Sequence, residues 1–410
     1  MSTSEMEVLH THCCGVDVHK KSVVARTITP KGKVIRTFET MTRNLLELVD
    51  LIKNQGCTHV AMESTGSYWK PLYNLLEDEG VKVMIVNANH IKSVPGRKTD
   101  VKDAEWIAKL LRHGLLTASF IPDRDQRELR ELVRYRRSII EERTRETNRL
   151  QKVLEGCNIK LASVASNVMG VSGRSMLEAI IAGETDPTAL ADLAKNRLKK
   201  KTAELVEALN GTIRKHQLMM LQKQLEHIDY VNRLIEELNA EIETRMAPSQ
   251  EELELIDTIP GVDIATAQQI LAETGTDMSR FPSAGHLCSW AGLTPGHDES
   301  AGKKRSTKTR KGNRKLRSAL TEAAKAASRK KGTYLYSQYH RIASRRGKNK
   351  AAVAVAHTIL KMIYHMLVKK QPYREMGSDY FDNQQKEYLV RNSIKRLQSL
   401  GFEVTVNPVV

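Results

Sequence analysis

A change of hydrophobic period near residue 125 limits what this chain can fold into. Before it, short apolar and β-branched runs alternate with helical patterns; from Gln126 the chain reads as long, polar helices. Cys14 to Val18 predicts a first strand. Val23-Val24-Ala25 and Val34-Ile35 flank the turn-rich Pro30-Lys31-Gly32-Lys33 and predict a hairpin after it. A helix from about Asn44 to Asn54 comes next, then a strand at His59-Val60-Ala61-Met62 and a helix through Leu72 to Leu76. A buried strand, Val81 to Val86, and a helix from Asp100 to Leu111 complete the pattern, which is that of one α/β layer.

The helical part is less uniform. Leu129, Val133, Ile140, Leu150 and Leu154 keep a heptad-like spacing, but Arg136 and Arg143 stand where a coiled coil needs apolar side chains. Leu218, Leu221, Leu225, Ile228, Ile235, Leu238 and Ile242 recur more regularly. The two stretches fit an antiparallel helical arm, a dimerising coiled coil or an intramolecular helix pair equally well. Asn158 to Ile213 reads as short helices. In IDTIPGVDIATAQQILAETG, Ile256 to Gly275, a Pro-Gly turn between two short helices resembles a helix-hairpin-helix, but Asp263 replaces its second glycine and opposes a phosphate, so the segment is read as packing.

Charge is concentrated in one region. The 410 residues carry a net +17, yet Gly296 to Gln371 alone holds 21 Lys and Arg against three acids, a net +18. The rest is nearly neutral. The densest run is KKRSTKTRKGNRKLR, with nine basic residues and no acid: Lys303, Lys304, Arg305, Lys308, Arg310, Lys311, Arg314, Lys315 and Arg317. With Arg329-Lys330-Lys331 and the cluster from Arg341 to Lys350, it points to nucleic acid as partner. Tyr334, Tyr336 and Tyr339 fit either base stacking or a helix packing stripe. Trp290 is read as core, and His12, His19 and His297 receive no role.

Five cysteines without zinc-ligand spacing, and no basic-then-apolar leader, predict a reducing, cytoplasmic and nucleoid-associated setting. The apolar run Ala351 to Val368 contains His357, Lys361 and His365, so it is read as a buried helix of a chain without a membrane partner.

Four carboxylates suggest chemistry. Asp17 ends the first strand in GVDVHK and Glu63 the fourth in VAMESTG, where adjacent strands can bring acids to one edge. Asp100 and Asp103, in KTDVKDAEW, lie three apart at a helix start and project from nearly one face. Singly, such acids are loop residues or helix caps. Together, at the edge of a ribonuclease-H-like layer, they offer the hard oxygen donors that Mg²⁺ prefers, and a pair of such ions can stabilise both oxygens in phosphoryl transfer.

GVDVHK, AMESTG and KTDVKDA, then a helical arm, then SWAGLTPGHDESAG with KGNRKLR, resemble the DEDD-type insertion-sequence transposases of the IS-one-ten family, relatives of the Piv invertase. The resemblance spans the first 120 residues and about Leu255 to Gln371. It implies α/β plus α architecture: a ribonuclease-H/RuvC-like domain over 1–125, a coiled-coil arm with an insertion over 126–250, a mainly helical basic transposase domain over 251–371, and a tail of unknown role over 372–410. It implies Mg²⁺ on Asp17, Glu63, Asp100 and Asp103, and a serine nucleophile just after GLTP, here Ser300. It also implies donor and target DNA, a bridge RNA, and a homo-dimer or tetramer. The serine is followed by Ala301 where the family commonly has glycine directly. The expected function is therefore an insertion-sequence recombinase working through a covalent phosphoserine. The alternative is a metal-dependent Holliday-junction resolvase or nuclease in which water attacks and Ser300 is idle.

Overall fold

The computed structural model describes residues 7–64, 66–87, 100–296, 298–300, 303–306, 308–384 and 386–405, with backbone alone at 100–102, 298–300, 303–306, 387 and 389. Two compact units make up the chain, Met1–Pro122 and Asp123–Val410.

The first unit is built on a five-stranded sheet of β1 (Cys13–Val18), β2 (Ser22–Thr29), β3 (Gly32–Glu39), β4 (His59–Glu63) and β5 (Lys82–Val86), in the order β3-β2-β1-β4-β5. β1, β2 and β3 pair antiparallel, and β4 and β5 continue the sheet in parallel with β1. This is the arrangement expected from the alternation of strand and helix signals. Successive strand residues face opposite sides, so β1 serves two cores. Cys14, Val16 and Val18 join Val60 and Met62 against Leu48 and Ile52 of α1 (Thr42–Asn54) and Leu72 and Leu76 of α2 (Trp69–Asp78). Cys13 and Ala61 face the other way, onto Ile107, Ala108 and Leu111 of α3 (Asp100–Arg112).

In the second unit, α4 (Arg124–Gly156) and α9 (Lys215–Met246) pack along each other. Side-chain pairs fix their direction: Glu128 meets Arg245, Arg136 meets Asn239 and Arg143 meets Asn232, so the helices run antiparallel within one chain. Ile139, and not the expected Ile140, is the buried residue of α4 opposite Val231, Ile235 and Leu238. The arginines that break the heptad form a polar layer. Arg136 is buried and its Nη1 donates to Asn239 Oδ1 at 2.9 Å and to Gln268 Oε1 at 2.7 Å. Between the long helices, α5 (Leu161–Val164), α6 (Val171–Ile181), α7 (Pro187–Asp192) and α8 (Thr202–Leu209) close a core of Met176, Leu177, Leu190 and Leu205 over Leu150, Leu154, Leu221 and Leu225.

The remaining helices are α10 (Gln250–Asp257), α11 (Ile264–Thr274), α12 (Ala284–Trp290), α13 (Arg314–Ala327), α14 (Tyr334–Arg346), α15 (Lys348–Lys369), α16 (Tyr380–Gln384) and α17 (Lys386–Ser399). Between α12 and α13 lies a small hairpin, β6 (Asp298–Ser300) with β7 (Lys303–Ser306). The Pro-Gly turn between α10 and α11 packs, as expected. Gly261 has φ +87°, and a Cβ there would lie 2.4 Å from Ala327 N, so α13 covers the turn; Asp263 caps α11 through Thr266 N. Among the described residues α15 alone is long and apolar enough to cross a membrane, and its Val355, Ile359, Leu360 and Ile363 are buried in a face that packs on α12, α13 and α14.

Candidate functional site

The four acids fall on one face and one edge of the sheet, or on the helix that covers it. Asp17 has the same strand parity as Cys13 and Gly15, so it belongs to the face that α3 covers. Glu63 shares that parity with Ala61 on β4, and the parallel register Val16↔Met62 makes the two acids lateral neighbours at the carboxyl ends of adjacent strands. Gly15 is where the helix comes closest: a Cβ there would lie 2.3 Å from both Ala104 O and Ala108 N. The amides of Leu9 and His10, ahead of β1, donate to Arg112 O at 2.9 and 3.0 Å. The carboxyl end of α3 thus sits at the start of β1, and its amino end, with Asp100 and Asp103, at the end that carries Asp17.

Asp17 is 5% exposed and accepts a hydrogen bond from His19 Nε2 at 3.0 Å. Sequence reasoning assigns this histidine no role; its one signal is its spacing of two from Asp17 at a strand end. Glu63 and Asp103 are half-buried, and the Asp100 side chain lies outside the described residues. Among the described residues no three His, Cys, Asp or Glu side chains lie together closely enough to hold a metal ion.

Ser300 ends β6 and pairs with Lys303 of β7, which puts it at the tip end of the hairpin; His297 and the side chains of Ser300, Lys303, Lys304 and Arg305 lie outside the description. The stem continues below: Gly296 N donates to Lys308 O at 2.9 Å and Arg310 N to Thr294 O at 3.2 Å. At the root two backbones touch. A Cβ on Gly312 would lie 2.3 Å from Gly292 N, and Gly292 itself has φ +73°, so both positions need glycine. Asn313 N donates to Trp290 O, and the Asn313 side chain caps α13 by accepting from Lys315 N and Leu316 N.

The hairpin root is tied to the long helices through Glu273, near the end of α11. Glu273 is 3% exposed, yet it receives Arg134 Nε and Nη2 at 2.7 and 2.8 Å and Asn313 Nδ2 at 2.6 Å. Arg130 adds an ion pair at 3.3 Å and a hydrogen bond to Glu273 O at 2.7 Å. Burial pulls the Arg130 guanidinium down to about 10, an effect that the Glu273 carboxylate opposes. No local pattern signals this junction, because its partners are some 40 to 140 residues away from Glu273.

Lys308, Arg310, Lys311, Arg314 and Lys315 are exposed, as a nucleic-acid surface requires. Arg317 is also structural, since its Nη1 donates to Thr309 Oγ1 at 2.7 Å and to Gly292 O at 3.4 Å, clamping the root. Tyr334 and Tyr339 are buried, and Tyr334 stacks on Phe381 of the tail at 4.9 Å, so these tyrosines pack. Trp290 is half-buried beside Phe281.

Comparison with known proteins accounts for both ends of the chain. A family model for DEDD-type IS110 transposases matches residues 14–159, and the transposase model of the IS116/IS110/IS902 family matches residues 253–340. The chain is 25% identical over 371 residues to the transposase for insertion sequence element IS1111A of Coxiella burnetii, covering 88% of this chain and 90% of that one. It is 25% identical over 380 residues to the pilin gene-inverting protein of Moraxella lacunata, covering 88% and 96%. A putative transposase, y4qE, of Sinorhizobium fredii is 30% identical over 263 residues, 62% of this chain and 54% of the relative. With acids, hairpin and basic surface in the order of those motifs, the chain belongs to the IS110 family, the IS-one-ten family of its sequence motifs, and is a DNA transposase/recombinase of the insertion-sequence type.

Proposed function

We propose that this transposase cuts and rejoins DNA through a covalent phosphoserine on Ser300, with Asp17, Glu63, Asp100 and Asp103 holding Mg²⁺. The observation that supports the proposal is the shared edge of the acids: by parallel register Asp17 and Glu63 stand on adjacent strand ends, and α3 runs back along β1 with Asp103 toward the same edge. The strand order β3-β2-β1-β4-β5 supports a ribonuclease-H/RuvC-like reading of this unit. Membership of a DEDD-type family implies divalent-metal use. The donor set fits it, since carboxylate oxygens are the hard ligands that Mg²⁺ takes, while His19 and any cation compete for Asp17. A bound ion would supply Lewis-acid polarisation of a phosphate oxygen.

The chain's own residues do the rest. Ser300 Oγ attacks a DNA phosphorus; the Oγ–P bond forms as the P–O3′ bond breaks, and the serine proton leaves as the 3′-oxygen gains one. The 5′-phosphoserine keeps the energy of the broken ester, so a 3′-hydroxyl can reverse the step on another strand. Lys303, Lys304 and Arg305 follow Ser300 closely in the chain and would offset charge that builds on the phosphate. Lys308, Arg310, Lys311, Arg314, Lys315 and Arg317 would hold the backbone. The excess of basic surface supports a bridge RNA in addition to donor and target DNA, and a dimer or tetramer would let the acids of one protomer serve the serine of another. We read residues 126–250 as the arm and 251–371 as the serine-bearing domain.

Ser300→Ala tests the mechanism. Its expected result is loss of both recombination and the protein–DNA adduct trapped by denaturation; strand cleavage that persists without an adduct would establish water as the nucleophile. Sequencing the nucleic acid that co-purifies from cells carrying the flanking DNA tests the guide: a discrete RNA from the adjacent non-coding region is expected, and its absence would rule the guide out.

A further inference from the structure

We propose that the groove at the foot of the serine hairpin binds a nucleotide whose base is unpaired. The groove lies between the hairpin root, α14 and α15 and encloses about 810 Å³. That falls within the roughly 300–1,000 Å³ of small-ligand sites. Leu293, Pro295, Val353 and Ala354 give it an apolar lining. Lys308, Arg317 and Lys350 line it as well, and among the described lining residues there is no carboxylate. An apolar lining flanked by cations suits a base held between its own phosphates.

A polar group in the groove is left unmet. Gln338 Nε2 donates to Thr358 Oγ1 at 2.9 Å, and the Thr358 hydroxyl donates in turn to Ala354 O at 3.2 Å. The threonine is therefore an acceptor toward Gln338, which fixes the orientation of the amide. Gln338 Oε1 is left buried without a partner. Buried acceptors are nearly always satisfied, and this one belongs to a side chain that lines the groove, so a turn of the side chain that brings its oxygen to the groove would give it a donor from a bound base. The amino and ring N–H groups of a base are such donors; pairing in a duplex occupies the ring N–H and one amino hydrogen, so an unpaired base offers the most. His357, also on the wall, is pushed below the ordinary histidine range by burial and adds no charge at neutral pH.

The proposal rests on the chain being a DNA transposase and not on the serine mechanism, so failure of the Ser300→Ala prediction leaves it standing. The test uses the full chain and fluorescein-labelled single strands of about twelve nucleotides, a length near the site sizes of single-strand binders: oligo-dC, oligo-dT, the ribonucleotide oligo-C, and a backbone of abasic sugars. Wild-type protein is expected to bind oligo-dC or oligo-C at least about tenfold more tightly than the abasic strand at one salt concentration. Ala354→Phe, which fills the groove without altering charge, is expected to remove that ratio while the salt dependence stays. Gln338→Leu is expected to weaken oligo-dC and oligo-dT and to leave the abasic strand unchanged. Melting curves confirm that each variant is folded, and the two substitutions act on different walls, so either can be read alone. A tighter ribonucleotide complex assigns the groove to a guide strand, and a tighter deoxy complex to donor or target DNA. Equal affinities assign it to both. If wild-type protein does not distinguish the abasic strand, or if both folded variants keep its ratios, the groove is not a nucleotide site.

Discussion

The two units hold their candidate chemistry in opposite ways. In the first, Asp17 and Glu63 stand on paired strands and Asp103 on a helix packed directly on one of them, with Gly15 setting the distance. In the second, Ser300 stands near the end of a hairpin whose root is two crossing glycines and an arginine clamp. The first unit is also nearly neutral, whereas Gly296 to Gln371 holds a net +18. The contrast reflects a division of labour. On the proposed mechanism four carboxylates share cations and repel one another, and regular elements with fixed register hold them against that repulsion. A nucleophile that must reach a phosphate is better placed on a projecting loop beside positive charge.

This division fails most sharply if the acids prove dispensable. Asp17→Asn keeps the shape and the His19 contact but removes a hard anionic donor, and it is expected to lower recombination by roughly 10³-fold. Activity close to that of wild type in a strand-exchange assay would remove the acids from the chemistry.

A second test concerns the second unit's hidden rigidity. Glu273→Leu leaves Arg130 and Arg134 facing each other without their nearest counter-charge, which is expected to cost about 3 kcal/mol of unfolding free energy. Denaturant titration measures it; a loss under about 1 kcal/mol, the range of a surface pair, would mean that the Asn313 cap and the hairpin root do not depend on the junction.

Gly15→Ala probes the corresponding close contact of the first unit. The added methyl group must push α3 off the sheet, with an expected cost of about 3 kcal/mol and a fall in recombination as Asp103 moves with the helix. An unchanged melting temperature would show that α3 is not held where the acids need it.

The smallest effect is expected at the start of the long helices. Asp123 caps α4 by accepting from Gln126 N at 2.9 Å, and Arg280 Nη2 lies at 3.1 Å from the same carboxylate. The Gln126 amide first, and Arg280 after it, hold this carboxyl below its usual range. A depressed carboxylate stabilises the fold above its unfolded value and loses that contribution as pH falls through the folded value. Asp123→Ala is therefore expected to cost about 1 kcal/mol at neutral pH. The gap between variant and wild type should narrow as pH falls below the ordinary aspartate range of about 3.9. A gap that stays constant through that acid range would assign the effect to something other than the charge.

Much of the first unit is legible in the sequence because its signals are local. Alternation in Ser22 to Thr29, the Pro30 to Lys33 turn and the apolar run of β5 each report on their own few residues. The strand-end positions of Asp17 and Glu63 follow from the same signals. What stays hidden is tertiary. No spacing in α4 says that Arg136 will be buried opposite Gln268, or that Ile139 will replace Ile140 in the core. Glu273 gathers partners from α4 on one side and Asn313 on the other, and each looks like an ordinary polar residue in the sequence. The basic run reads as a surface, correctly for Lys308, Arg310, Lys311, Arg314 and Lys315, but Arg317 is half-buried and also holds the hairpin.

The antiparallel course of α4 and α9 has a geometric corollary. The chain leaves for the distal cap and comes back to the same base, where Arg130, Arg134 and Arg136 anchor it on α11. Adding about seven residues to each helix would carry the cap outward by about 10 Å without disturbing anything at the base. The length of the helix pair is thus set separately from the spacing of the groups at its base.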